Sequence, residues 1–104
     1  MRFGPWVRLA DAGALPEAAG VLQVRREVGL VAYPRGKSAM ILYAGVEDLR
    51  RACQRLAAEY PGRAWLCRCN RDPLENVGEA AARLIAEFVE RFGAEPSPVY
   101  ASDR

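Results

Sequence analysis

Two apolar stripes at helical spacing, set either side of one short alternating segment, restrict this chain more than any other feature. Val46, Leu49, Cys53, Leu56 and Tyr60 recur at steps of three and four. That spacing predicts a helix over residues 46–60 with one apolar face, stopped by Pro61-Gly62. Val77, Ala81, Leu84, Ile85, Phe88, Val89 and Phe92 repeat the pattern and end at Gly93. The start of this second helix carries two signals, Asp72-Pro73 and Asn76-Val77-Gly78-Glu79. The latter has capping-box spacing, although Gly78 weakens the first turn. An apolar helix stripe must be covered. The expectation is that Val77, Leu84, Ile85 and Phe88 pack the second helix onto a sheet beside Leu49, Cys53 and Leu56 of the first.

The sheet is read from short runs between turn residues. Strands are expected at residues 6–9, 21–25, 30–33, 40–44 and 64–69. Glu27-Val28-Gly29 is a tight turn and Pro34-Arg35-Gly36-Lys37-Ser38 the next one. Residues 11–20 read as a connection with a helical turn after Leu15-Pro16. The fold class that follows is α+β, a small antiparallel or mixed β-sheet covered by two amphipathic helices. A chain of 104 residues is one domain, residues 1–94. Residues 95–104, with Pro96 and Pro98, are expected to form a flexible C-terminal tail.

Composition sets bounds on partners. Half the residues are apolar (51%) and 27% are charged, the balance of a globular protein. No apolar run reaches the ~18 residues of a membrane span. The N-terminus has no apolar leader segment. The expected setting is cytoplasmic, with no membrane partner. A net charge of +2 does not by itself argue for nucleic acid. Lys37 is the only lysine, so the basic surface consists of guanidinium forks that suit carboxylates and phosphates. Cys53, Cys67 and Cys69 come without any histidine. Zinc would need more ligands, so no metal residue is assigned and the thiols read as reduced and structural.

Several residue groups invite a functional reading. Gly36-Lys37-Ser38 looks like part of a phosphate loop. The glycine such a loop needs five positions earlier is Val31, and a strand follows instead of a helix, so the segment reads as a basic hairpin tip. Trp65 alternates with Cys67 and Cys69, with Arg68 and Arg71 nearby. That pattern fits either a core strand or a stacking surface for single-stranded nucleic acid. On the first helix, Glu47 precedes Arg51 by four residues and Arg55 precedes Glu59 by four. These are ion pairs of a solvated face or, alternatively, Arg50, Arg51 and Arg55 face phosphate.

The order Gly20-Val21-Leu22, then Tyr43-Ala44-Gly45 running into Glu47-Asp48-Leu49-Arg50-Arg51, resembles the core of GIY-YIG nuclease domains, over roughly residues 15–95. In that family two adjacent strands carry the two tripeptides. Tyrosines and a helix arginine surround the scissile phosphate, and a glutamate on a later helix holds one divalent metal. The resemblance implies Tyr43 and Arg51 as the catalytic candidates. Tyr33-Pro34-Arg35-Gly36 has the family's usual spacing but is followed by no helix. The first tyrosine is replaced by Leu22, which cannot relay a proton. The helix that should carry the metal glutamate offers Arg83, Leu84 and Ile85, while Glu79, Glu87 and Glu90 fall on its polar side. Arg83 stands four residues from both Glu79 and Glu87, so ion pairs account for those carboxylates.

The expected function is therefore a GIY-YIG-like domain without nuclease activity, acting as a nucleic-acid-binding or protein-interaction module. Arg35, Lys37, Arg50, Arg51 and Arg55 would make the nucleic-acid contacts, and no cofactor is needed. Two alternatives stand beside it. One is an active metal-dependent phosphodiesterase with displaced catalytic groups, which would use Mg2+. The other is a dimerising structural protein, pairing with a second copy or another protein through Trp6, Tyr33 or Tyr43 on an exposed sheet face.

Overall fold

Glycines on neighbouring strands show how the helices are arranged. Strand β2 (Gly20–Arg26) pairs antiparallel with β5 (Met40–Val46) so that Gly20 opposes Val46 and Val21 opposes Gly45. Gly20 and Gly45 therefore face opposite sides of the sheet. A Cβ on Gly20 would lie 2.7 Å from Leu49 Cδ1 in helix α1 (Leu49–Glu59). A Cβ on Gly45 would lie 3.1 Å from Val77 Cγ1 in helix α2 (Val77–Phe92). The two helices thus cover the two faces of one sheet, and they do not lie side by side as expected from their stripes. The computed structural model describes residues 1–101, Ala12 by its backbone alone.

The sheet has four antiparallel strands in the order β1-β6-β2-β5, with β1 at Val7–Arg8 and β6 at Trp65–Cys69. A separate hairpin joins β3 (Val31–Tyr33) to β4 (Gly36–Ser38). The fold class is α+β, as expected. Central position explains β2: Gly20 through Val24 are all buried, because a strand covered on both faces loses the alternation of a half-exposed one. On the α1 side lie Leu22, Val24, Trp65, Cys67 and Cys69, since Leu22 opposes Cys69, Val24 opposes Cys67 and Arg26 opposes Trp65. Trp65 is 4% exposed and packs on Tyr60, with ring centroids 5.1 Å apart. It is a core residue, and the stacking reading of Trp65 is withdrawn.

Local chemistry sets the helix ends. Asp48 caps α1, its carboxylate accepting from the Arg51 N–H at 3.0 Å. The helix begins at Leu49, later than the expected 46, because Val46 is still pairing with Gly20. Asn76 caps α2, accepting from the Glu79 N–H at 2.9 Å. Gly93, at φ 84°, ends it in the left-handed conformation that glycine adopts without strain.

Other boundaries differ from the sequence expectation for identifiable reasons. The first strand stops at Arg8, because Leu9–Ala14 turns into a 3-10 helix that lies against α1. The helical turn expected after Leu15-Pro16 is absent. There the carbonyls of Ala18 and Pro16 accept from the Leu49 and Arg50 N–H groups at 2.9 and 3.2 Å, satisfying first-turn amides that α1 cannot satisfy itself. Residues 34–38 are not one loop: Pro34 and Arg35 form the turn and Gly36–Ser38 is β4.

The tail also departs from expectation. It packs as far as Ala101, which is 2% exposed, by way of a 3-10 turn at Pro98–Tyr100. The Tyr100 ring lies 5.0 Å from that of Tyr33. Residues 102–104 lie outside the described residues. Among the described residues no helix is long and apolar enough to cross a membrane.

Cys53 on α1 and Cys67 on β6 are wholly buried, and Cys69 is half-buried. A hydrogen bond to Cys67, together with burial, holds the Cys53 thiol far above the usual thiol range. Burial also raises Cys69. The same Cys53–Cys67 hydrogen bond lowers the Cys67 thiol. Both sulfurs are nevertheless sealed from solvent and only accessible thiolate reacts quickly, so native protein at pH 8 should leave Cys53 and Cys67 unmodified by an aromatic disulfide reagent. Cys69 should react slowly, and all three should react at once in urea. Rapid native labelling of Cys53, followed by absorbance and peptide mapping, would contradict the packing of α1 on β6.

Candidate functional site

Gln23 in the middle of β2 opposes Tyr43 on β5 and Arg68 on β6. The three side chains form one row across the sheet, on the α2 side. Polar residues at the centre of a buried sheet need partners, and this row supplies its own. Arg68 Nε donates to Gln23 Oε1 at 2.6 Å, and Gln23 is only 4% exposed. Tyr43 is half-buried, its ring edge-on to Phe88 at 5.9 Å.

The N-terminal segment covers the β6 end of the row. It is held there by the Gly4 N–H on the Cys69 carbonyl and the Arg71 N–H on the Arg2 carbonyl, both 2.9 Å. Arg2 also pairs with Asp72 at 3.1 Å. The Arg68 guanidinium carbon lies 4.7 Å from the Phe3 ring centroid and 4.2 Å from that of Trp6. Arg25, the next β2 residue on this face, lies 4.8 Å from the same Trp6 ring. Each contact places a guanidinium within cation–π range of an aromatic ring.

Charge is the unusual property of this face. Neither Arg25 nor Arg68 has a carboxylate within ion-pair distance among the described residues. Arg25 Nε is buried without a hydrogen-bond partner among the described residues. Burial and the neighbouring Arg25 charge make the Arg68 cation less favourable, and Tyr43 acts in the other direction. Burial raises the Tyr43 hydroxyl, Arg68 draws it back down and Glu87 raises it. At neutral pH this face presents two guanidinium cations, Arg68 of the row and its neighbour Arg25, beside a neutral phenol. An anion accepted against this face would meet cationic charge that no carboxylate offsets at ion-pair distance among the described residues.

The residues singled out from the sequence are dispersed. Tyr43 belongs to this row. Arg51 lies on α1, across the sheet, so the two catalytic candidates are not brought together. Arg50 donates to the Leu15 carbonyl at 2.9 Å and to Glu17 at 2.7 Å, tying the 15–18 connection to α1. Arg35 donates to the carbonyls of Val89 (3.0 Å) and Glu90 (2.7 Å), capping the C-terminus of α2. Lys37 is exposed on β4. Arg51 and Arg55 line a shallow groove of about 330 Å³ with Glu47 and Asp48. Neither makes the expected pair with Glu47 or Glu59 among the described residues, whereas Arg83 does pair with Glu79 at 3.6 Å. Tyr33 is buried, its hydroxyl donating to the Met40 carbonyl at 2.6 Å.

The residues do not fit the metal that the resemblance implies. The sheet-facing positions of α2 are Ala81 and Phe88, and Glu79, Glu87 and Glu90 are exposed. Among the described residues, no three His, Cys, Asp or Glu side chains are grouped to hold a metal ion.

Sequence reasoning missed Gln23, Arg25 and Phe3, and singled out Trp6 only as a pairing residue on an exposed sheet face. The signal was present: Gln23 and Arg25 interrupt an apolar run, and Arg68 alternates with Cys67 and Cys69. No family model, curated protein or solved structure matches the chain.

Proposed function

We propose that this protein is a nucleic-acid-binding domain of GIY-YIG-like strand layout without nuclease activity, working in the cytoplasm with its thiols reduced. The observation that carries the reading is the pair of uncompensated guanidiniums near Tyr43, Arg25 over the Trp6 ring and Arg68 over the Trp6 and Phe3 rings. A phosphodiester suits this arrangement. The guanidinium edges give charge-assisted hydrogen bonds, and the raised Tyr43 hydroxyl stays protonated and can donate a further one. The layout is supported by the register, in which Val21 opposes Gly45 and Leu22 opposes Ala44 on adjacent strands. The absence of cleavage rests on Leu22 and on the distance of Arg51 from Tyr43 across the sheet.

Fluorescence anisotropy with labelled single-stranded and duplex oligonucleotides tests the reading. Affinity should fall with salt, with a log–log slope of roughly −0.7 per neutralised phosphate on single strands. Arg68→Ala should weaken binding by about tenfold or more, whereas Lys37→Ala, remote from the row, should change it little. No oligonucleotide should be cut in Mg2+ or Mn2+. Absence of binding at low salt, or cleavage that Tyr43→Phe removes, would overturn the proposal.

A further inference from the structure

The Arg25–Arg68 face is walled on both sides. On one side the N-terminal segment runs beside β6: Phe3 bridges to Asn70, and Trp6 leads into β1, where Val7 opposes Cys67. The Phe3 and Trp6 rings stand on this side, against the Arg68 guanidinium. On the other side α2 lies along β5, with Phe88 edge-on to Tyr43 and Val77 against Gly45. The walls rise from β1 and β5, the two outer strands of the sheet. Three strand spacings, roughly 14 Å, separate them before side chains narrow the gap. The floor is the row itself, where Gln23 is buried and Arg25 and Arg68 are half-buried.

Shape selects among nucleic acids here. A duplex carries its phosphates on two stiff strands. Laid over this face it rests on the walls, with its phosphates held above the recessed guanidiniums. A single strand turns at each phosphate and passes between the walls, the geometry of a basic groove that tracks one backbone.

Charge selects in the same sense. Arg68 stands on the β6 side, while Glu87 is exposed on α2. Both charges act on the Tyr43 hydroxyl, in opposite directions. A single strand can keep its phosphates at the arginines and turn its bases toward α2. A duplex brings a second row of phosphates toward Glu87, and like charges placed together are costly.

We infer that the ligand of this face is single-stranded nucleic acid, lying between the N-terminal segment and α2 with its phosphates toward Arg25 and Arg68 and its bases toward α2. The inference rests on the nucleic-acid reading above and narrows it to one class of ligand.

Anisotropy at low salt with a labelled oligothymidine of about 12 nucleotides, within the usual site sizes, and a blunt duplex of equal length tests it. The single strand should bind tighter by about tenfold or more. Glu87→Lys, at an exposed position, should keep the thermal unfolding midpoint. It should tighten duplex binding more than single-strand binding, cutting the preference to about threefold or less. Lys37→Ala should leave the preference unchanged. Duplex binding as tight as single-strand binding would overturn the inference and leave the nucleic-acid reading standing. A preference that Glu87→Lys does not reduce would overturn the placing of the bases toward α2. Binding of neither probe would overturn the inference and the reading together.

Discussion

Phe88→Ala is expected to remove most of the stability of this protein. The ring is 5% exposed and meets Phe92 at 4.4 Å, Tyr33 at 5.0 Å and Tyr43 at 5.9 Å. Those contacts join α2, the β3–β4 hairpin and the central sheet. Truncation loses the transfer free energy of the ring and leaves a cavity that three aromatic neighbours cannot collapse to fill, about 3–5 kcal/mol together. Small domains hold only ~5–15 kcal/mol in total. The urea midpoint should therefore fall steeply, and near-ultraviolet dichroism from the tyrosine cluster should be lost first. Glu87→Ala, one residue away and exposed, should move stability by no more than ~0.5 kcal/mol. A loss below about 1.5 kcal/mol at Phe88, the low end for an apolar side chain leaving the core, would mean that α2 does not seal this face.

Gly20→Ala should cost about 2–4 kcal/mol, a large effect for one methyl group. The added Cβ would lie 2.6 Å from Asn70 Oδ1 and 2.7 Å from Leu49 Cδ1. Leu49 can turn only by disturbing its own packing, since it is 2% exposed. Asn70 accepts from the Val21 N–H at 2.8 Å, so displacing it leaves a buried donor without a partner. Overpacking of this kind costs ~1–3 kcal/mol, and a lost buried hydrogen bond adds about 1. Gly45→Ala should be milder in side-chain terms but presses on the helix backbone, with the Val77 carbonyl 3.0 Å away. Denaturant titration of both variants checks the order. If Gly20→Ala were neutral, the close approach of α1 to β2 described here would be wrong.

These two glycines show how a sequence motif and its structural cause separate. Gly20 and Gly45 are conspicuous in the sequence as the glycines of two tripeptides. In the fold each is the position where a helix touches a strand directly, one on each face. Of the nucleic-acid candidates, the two that proved structural reach backbone carbonyls far along the chain. Arg35 reaches Val89 and Glu90, and Arg50 reaches Leu15. A long side chain near an exposed position looks the same in sequence whether it points to solvent or wraps a helix end.

What the sequence by itself determined is local. It specified the end of α2 at Gly93 and offered Asn76 as one of two starts, because both residues act on backbone groups within one turn of themselves. It specified β6 and the start of β5 because alternation and turn residues are also short-range. What only the tertiary structure decided is the pairing of distant surfaces. An apolar stripe needs an apolar partner but does not state which face of which strand supplies it, so the two helices went to opposite sides of the sheet. The same holds for the row Tyr43, Gln23 and Arg68. Its members stand about twenty residues or more apart, and only strand register sets them side by side. The charge left uncompensated there arises from three strands and the N-terminal segment together, and no stretch of the chain carries it alone.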